Sequence, residues 1–93
     1  PPAWDNVPEE FQSDLAALDR LEDDALWEIA QARKANSEMT RYEALLQKNQ
    51  DHTLSDKERT ELIDLRAESD LFMLRKAQAA AILRWRGHSV VHP

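Results

Sequence analysis

Residues 55–87 read SDKERTELIDLRAESDLFMLRKAQAAAILRWRG, and this stretch decides the fold. Between its two ends there is no proline and no glycine, so nothing interrupts a helix. Ser55 and Glu58 stand at capping-box spacing: the serine oxygen accepts from the Glu58 N–H, and the Glu58 carboxylate reaches back to the Ser55 N–H. At the far end Arg84 and Arg86 suit the negative pole of the helix dipole, and Gly87, the single glycine of the chain, supplies a left-handed stop. The signals predict one helix over 56–86.

Its apolar pattern changes along its length. Leu62, Leu65 and Phe72 fall on one narrow stripe that Ser69 interrupts. Leu71-Phe72-Met73-Leu74 are consecutive, and Ala77, Ala79, Ala80, Ala81, Ile82, Leu83 and Trp85 follow. A helix apolar nearly all round is buried on more than one side. A helix of about 31 residues spans about 46 Å, whereas a compact chain of this size is roughly 30 Å across. The alanine-rich run also lets another helix approach closely. A homodimer through the C-terminal half of the helix is therefore expected, with Phe72, Met73, Ala77, Ala80, Leu83 and Trp85 as its interface. The alternative is a monomeric bundle that covers this surface itself. Orientation, parallel or antiparallel, is open at this point.

The preceding segments read as shorter helices. Over 8–19, Phe11, Leu15 and Leu18 recur at i, i+4, i+7, with Asn6 as the cap and Glu9 and Glu10 at the positive end of the dipole. Trp4 is expected to fold back on that face. Over 24–34, Leu26, Ile29 and Ala30 form an inner face capped by Asp23, and Trp27 laps over one side as a core residue. Over 37–49, with Ser37 or Asn36 as cap, Met39, Tyr42, Leu45 and Leu46 form the apolar face. The polar turn 49–53 is short enough to fold this helix back along the long one as an antiparallel hairpin. The fold class is all-α: one long C-terminal helix, a hairpin partner, two short N-terminal helices, a single domain over 1–93 and a dimeric bundle.

Composition narrows the function. A 93-residue chain that is 42% hydrophobic and 32% charged is a soluble helical composition. No apolar run reaches the length of a membrane span and no signal peptide is visible, so the cytoplasm is the default location. There is no cysteine, hence no disulfide, thiolate zinc site or thiol nucleophile. The chain begins Pro1-Pro2-Ala3-Trp4 without an initiator methionine, as a processed product or an excised part of a longer protein would.

The net charge of −6 is unevenly spread. Residues 1–31 hold nine acids against Arg20 alone, whereas 75–93 hold Arg75, Lys76, Arg84 and Arg86 with no acid. The two ends complement each other, within one chain or between two. The same four cations around Trp85 form a basic–aromatic patch, the basis of an alternative reading as a nucleic-acid-binding regulator. The overall acidity argues against nucleic acid.

No catalytic constellation stands out. His88 and His92 have the i, i+4 spacing of a metal pair, but they follow a helix-ending glycine and lack a nearby carboxylate, so no metal is expected. His52 falls in a turn. Asp23 and Asp24 are explained by the helix start. A single glycine forbids a phosphate-binding loop, and the serines lack a histidine in any catalytic context. Neither an enzyme nor a cofactor is expected.

Leu26-Trp27-Glu28-Ile29-Ala30, Leu45-Leu46-Gln47-Lys48-Asn49-Gln50, Thr53-Leu54-Ser55 with Glu58, and Met73-Leu74-Arg75-Lys76-Ala77 through Arg86-Gly87-His88 occur in this order. Together they resemble a family of small bacterial helical proteins, frequent in cyanobacteria. The likeness covers about residues 21–88. It implies an antitoxin-like or regulatory role, in some relatives beside genes for HNH-type endonucleases, and carries no site residue over. The acidic helix expected at 8–19 stands where such relatives have a separate N-terminal segment, which puts a DNA-binding role in doubt. The reading that results is a non-enzymatic helical interaction or oligomerisation module, an antitoxin-like adaptor, with a protein partner besides its own copy.

Overall fold

The computed structural model describes residues 8–90. Among them the chain is all-helical: α1 Glu9–Ala16, α2 Asp23–Gln31, α3 Asn36–Gln50 and α4 Asp56–Trp85, with a 3-10 turn Ala17–Arg20 after α1. The chain falls into two compact units. Among the described residues one comprises 8–32 and 71–90; the other is Arg33–Asp70.

The first unit has the larger core. Leu15 of α1, Leu18 of the 3-10 turn, Leu26 and Ala30 of α2, and Ala79, Ala80, Ile82 and Leu83 of α4 form one buried cluster. Phe11, Leu21, Trp27, Ile29, Leu71, Leu74 and Val90 pack against it. Trp27 thus has the core-packing role expected of it. Ala79 and Ala80 are buried in this cluster, and such small side chains permit close helix approach. This is where the reading of 77–81 needs correction: Ala80 and Leu83 are 7% and 0% exposed, buried within their own chain. They have no surface left for a second copy.

Local signals at the N-terminal helices are overruled in several places. The expected helix 8–19 is α-helical only to Ala16, then tightens into the 3-10 turn. Pro8 occupies the cap position without a side-chain bond; Asn6 and Trp4 lie outside the described residues. Asp23 is not the cap of α2. Glu22 stands there, extended at ψ 161°, and Asp23 is the first helical residue. Its carboxylate is bonded to Arg86 and His88 instead of to the α2 backbone. The helix stops at Gln31 rather than Arg33 or Lys34, because Ala32 turns extended (ψ 147°), and Lys76 Nζ donates to the Ala32 carbonyl at 2.6 Å.

The second unit holds α3 and the beginning of α4. Ala35 stands at the α3 cap, so neither Asn36 nor Ser37 caps it by a side chain. Leu45 and Leu62 are buried. Arg41 donates through Nε and Nη2 to the two carboxylate oxygens of Glu61, at 2.8 and 2.7 Å, and Lys48 pairs with Glu58. The capping box forms as read: Glu58 N–H donates to Ser55 Oγ and Ser55 N–H donates to Glu58 Oε1, both at 3.1 Å.

Both α3 and α4 end in the same motif. At α4 the His88 N–H donates to the Leu83 carbonyl and the Gly87 N–H to that of Arg84, with Gly87 at φ 99°. At α3 the Thr53 N–H donates to the Lys48 carbonyl and the His52 N–H to that of Asn49, with His52 at φ 57°. Each is a Schellman stop, which satisfies the last carbonyls of a helix through one left-handed residue. Glycine takes that conformation freely; histidine does so at a cost.

Candidate interaction surface

The face of α4 turned away from the core of the first unit carries the most conspicuous surface chemistry. Met73, Ala77, Ala81 and Trp85 follow one another at intervals of four, which places them in one slowly winding stripe about 18 Å long. Met73 is 61% and Trp85 65% exposed; Ala77 is exposed and Ala81 half-buried. Single exposed apolar residues are ordinary, but several in line are a surface that water wets poorly. Of the six interface residues expected from sequence, Met73, Ala77 and Trp85 lie on this stripe. Phe72 is half-buried, with Lys76 Nζ 5.8 Å from its ring centroid. Ala80 and Leu83 belong to the core.

The four basic residues are not brought together as one open patch. Arg86 donates through Nη1 to Asp23 Oδ1 (2.8 Å) and the Leu21 carbonyl (2.9 Å), and through Nη2 to the Asp19 carbonyl (3.2 Å). Lys76 is engaged with the Ala32 carbonyl. Arg75 and Arg84 form no ion pair with a described residue.

Asp23 is the hub at the end of the first unit. His88 Nε2 lies 2.7 Å from Asp23 Oδ2, and the His88 ring stands edge-on to Trp27 with centroids 6.2 Å apart. The Arg86 hydrogen bond, followed by that of His88, holds the Asp23 carboxyl below the usual carboxylate range. In the second unit the Lys48 hydrogen bond, assisted by the Ser55 backbone N–H, draws Glu58 down to about 2. Arg41 lowers Glu61, and Glu61 raises Arg41 in return. These shifts come from the ion pairs and capping bonds that fasten the helices.

Among the described residues no group of three or more His, Asp or Glu side chains converges to hold a metal. Of the two histidines at i, i+4 spacing, where no metal was expected, His88 faces Asp23, and His92 lies outside the described residues. No described helix is long and apolar enough to cross a membrane.

Two features escaped the sequence reading. Gln78 is only 8% exposed, and its Nε2 has no hydrogen-bond partner among the described residues. Nothing in its local pattern marks it. The Asp23–Arg86–His88 cluster did leave a signal, the opposed charges of the two ends of the chain, but not which residues would meet.

No protein-family model, curated protein or solved structure matches this chain.

Proposed function

We propose that this chain is a non-catalytic helical interaction module that self-associates through the outer face of α4. The observation that carries the reading is the pair Met73 and Trp85, both more than 60% exposed on a helix whose opposite face is core. Burying such side chains against a second apolar surface is the ordinary driving force of association. The interface is narrower than composition implied: Met73, Ala77, Ala81 and Trp85 carry it, flanked by Phe72.

An antiparallel hairpin of α3 with the start of α4 completes the reading. It is supported by ion pairs that run in opposite order along the two helices, Arg41 to Glu61 and Lys48 to Glu58. An antitoxin-like adaptor role in the cytoplasm, with a further protein partner, is the narrower form of the proposal and rests on the motif resemblance alone. The nucleic-acid alternative draws less support, because Arg86 and Lys76 are spent within the chain.

The test is the molar mass in solution by light scattering across a dilution series, for the native chain and for Met73→Lys/Trp85→Lys. A mass approaching twice 10.8 kDa that the double variant loses, with helix content unchanged, is the expected result. A native chain that stays monomeric at every concentration overturns it.

A further inference from the structure

We propose that two copies pair antiparallel along α4, about a two-fold axis passing at Ala77. This rests on the self-association proposed above and specifies its geometry. α4 is one uninterrupted helix from Asp56 to Trp85, so register alone fixes which residues share a face. Asp70 lies seven residues before Ala77 and Arg84 seven after it. Seven residues are close to two turns, so all three share one face, with Met73 and Ala81 between them. Asp70 and Arg84 are both exposed, and neither forms an ion pair with a described residue.

In an antiparallel pair centred on Ala77, each residue faces the one equally far on the other side of the axis. Asp70 of each copy then meets Arg84 of the other, so the charge pair forms twice. Met73 meets Ala81, again twice, a long side chain over a small one. Ala77 meets Ala77 at the crossing, where only a small residue permits close approach. Trp85 flanks each end of the stripe.

A parallel pair reverses these matches. Asp70 would face Asp70, Arg84 would face Arg84, and Met73 would crowd Met73. Arg84 is the one cation of the 75–86 segment on this face, since Lys76 and Arg86 are engaged within the chain and Arg75 lies round the helix, so parallel alignment would set like charge against like charge at both Asp70 and Arg84. Charge complementarity thus selects both the occupant, a second copy, and its direction. The stripe is short, so the pair is expected to dissociate on dilution.

The chain has no cysteine, which makes single-cysteine crosslinking clean. Asp70→Cys alone should not form a disulfide dimer, because 14 residues of helix rise separate the two thiols by roughly 21 Å in the antiparallel pair. Asp70→Cys/Arg84→Cys should crosslink readily, and Ala77→Cys should crosslink at the axis. In parallel, Asp70→Arg and Arg84→Asp should each weaken dimerisation about fivefold, and the two together should restore it. Ready crosslinking of Asp70→Cys to itself, or a double charge swap that fails to restore a dimer formed by the native chain, overturns the antiparallel geometry while self-association stands. A native chain monomeric at all concentrations removes both.

Discussion

The Arg86 guanidinium donates to the Asp23 carboxylate at 2.8 Å, joining residues 63 positions apart in sequence. Asp23 opens α2 and Arg86 follows the last residue of α4, so this bond fastens the end of the long helix to the start of the second one. A carboxylate at a helix N-terminus is favoured by the dipole, and here it also takes a cation and an imidazole. Asp23→Asn keeps the shape and removes the charge. Arg86 would retain its bonds to the Leu21 and Asp19 carbonyls, so the loss should be partial. The expected outcome is a thermal midpoint lower by a few degrees, with helix content intact, read by circular dichroism. An unchanged midpoint would mean that the ion pair adds nothing beyond those two carbonyl bonds.

The Glu58 pair gives the acid branch of the stability curve. Its carboxyl titrates near 4.5 when unpaired and at about 2 in the fold, the lowering coming first from Lys48 and then from the Ser55 N–H. The folded value is depressed, so the stabilisation is fully present above pH 4.5 and fades as the pH falls toward 2. Glu61 and Asp23 are lowered too and act in the same direction. Urea unfolding between pH 6 and pH 2 should show a midpoint that declines below pH 4.5. Glu58→Gln should lower the midpoint at neutral pH and flatten the decline. A variant with the native slope would show that Glu58 does not drive it.

His52 closes α3 in the left-handed conformation that Gly87 adopts at the end of α4. A side chain with a Cβ is strained there, and His52 is exposed, so little packing is lost on truncation. His52→Gly should stabilise the chain by about 0.5–1 kcal/mol, the relief of strain outweighing the added freedom of the unfolded chain. The check is a rise in the urea midpoint with an unchanged slope. A fall would mean that the imidazole makes a contact worth more than the strain.

What was legible in the sequence was local. Ser55 and Glu58 are three residues apart, and Gly87 ends its helix through its own φ, so both signals survive into the fold. The apolar girdle from Leu71 to Trp85 was legible as a surface in need of cover, but not as to what covers it. Periodicity cannot say whether Ala80 and Leu83 meet α2 of their own chain or a second copy; long-range packing decided for the chain itself. The cap expected at Asp23 failed for a related reason. A carboxylate at the first turn of α2 has several possible donors, and two side chains more than 60 positions away won it. Arg86 and Lys76, taken from sequence as half of an open basic patch, were claimed by carbonyls that only the folded chain brings within reach.

Gln78 offers the sharpest test of the first unit. Its neighbours Ala79 and Ala80 are buried, and it is itself 8% exposed, with Nε2 unpartnered among the described residues. An amide donor removed from water without an acceptor costs about 1–3 kcal/mol. Methionine has nearly the same length and volume and no donor to satisfy, and its flexible thioether adapts to the space. Gln78→Met should therefore stabilise the chain by about 1–2 kcal/mol. Gln78→Glu should destabilise it more strongly, because a buried carboxylate without a cation is worse than a buried amide. Chemical unfolding of the two variants beside the native chain decides the matter. If Gln78→Met lowers the midpoint, the amide has a partner that holds it, and the residue is a buried polar anchor rather than an orphan.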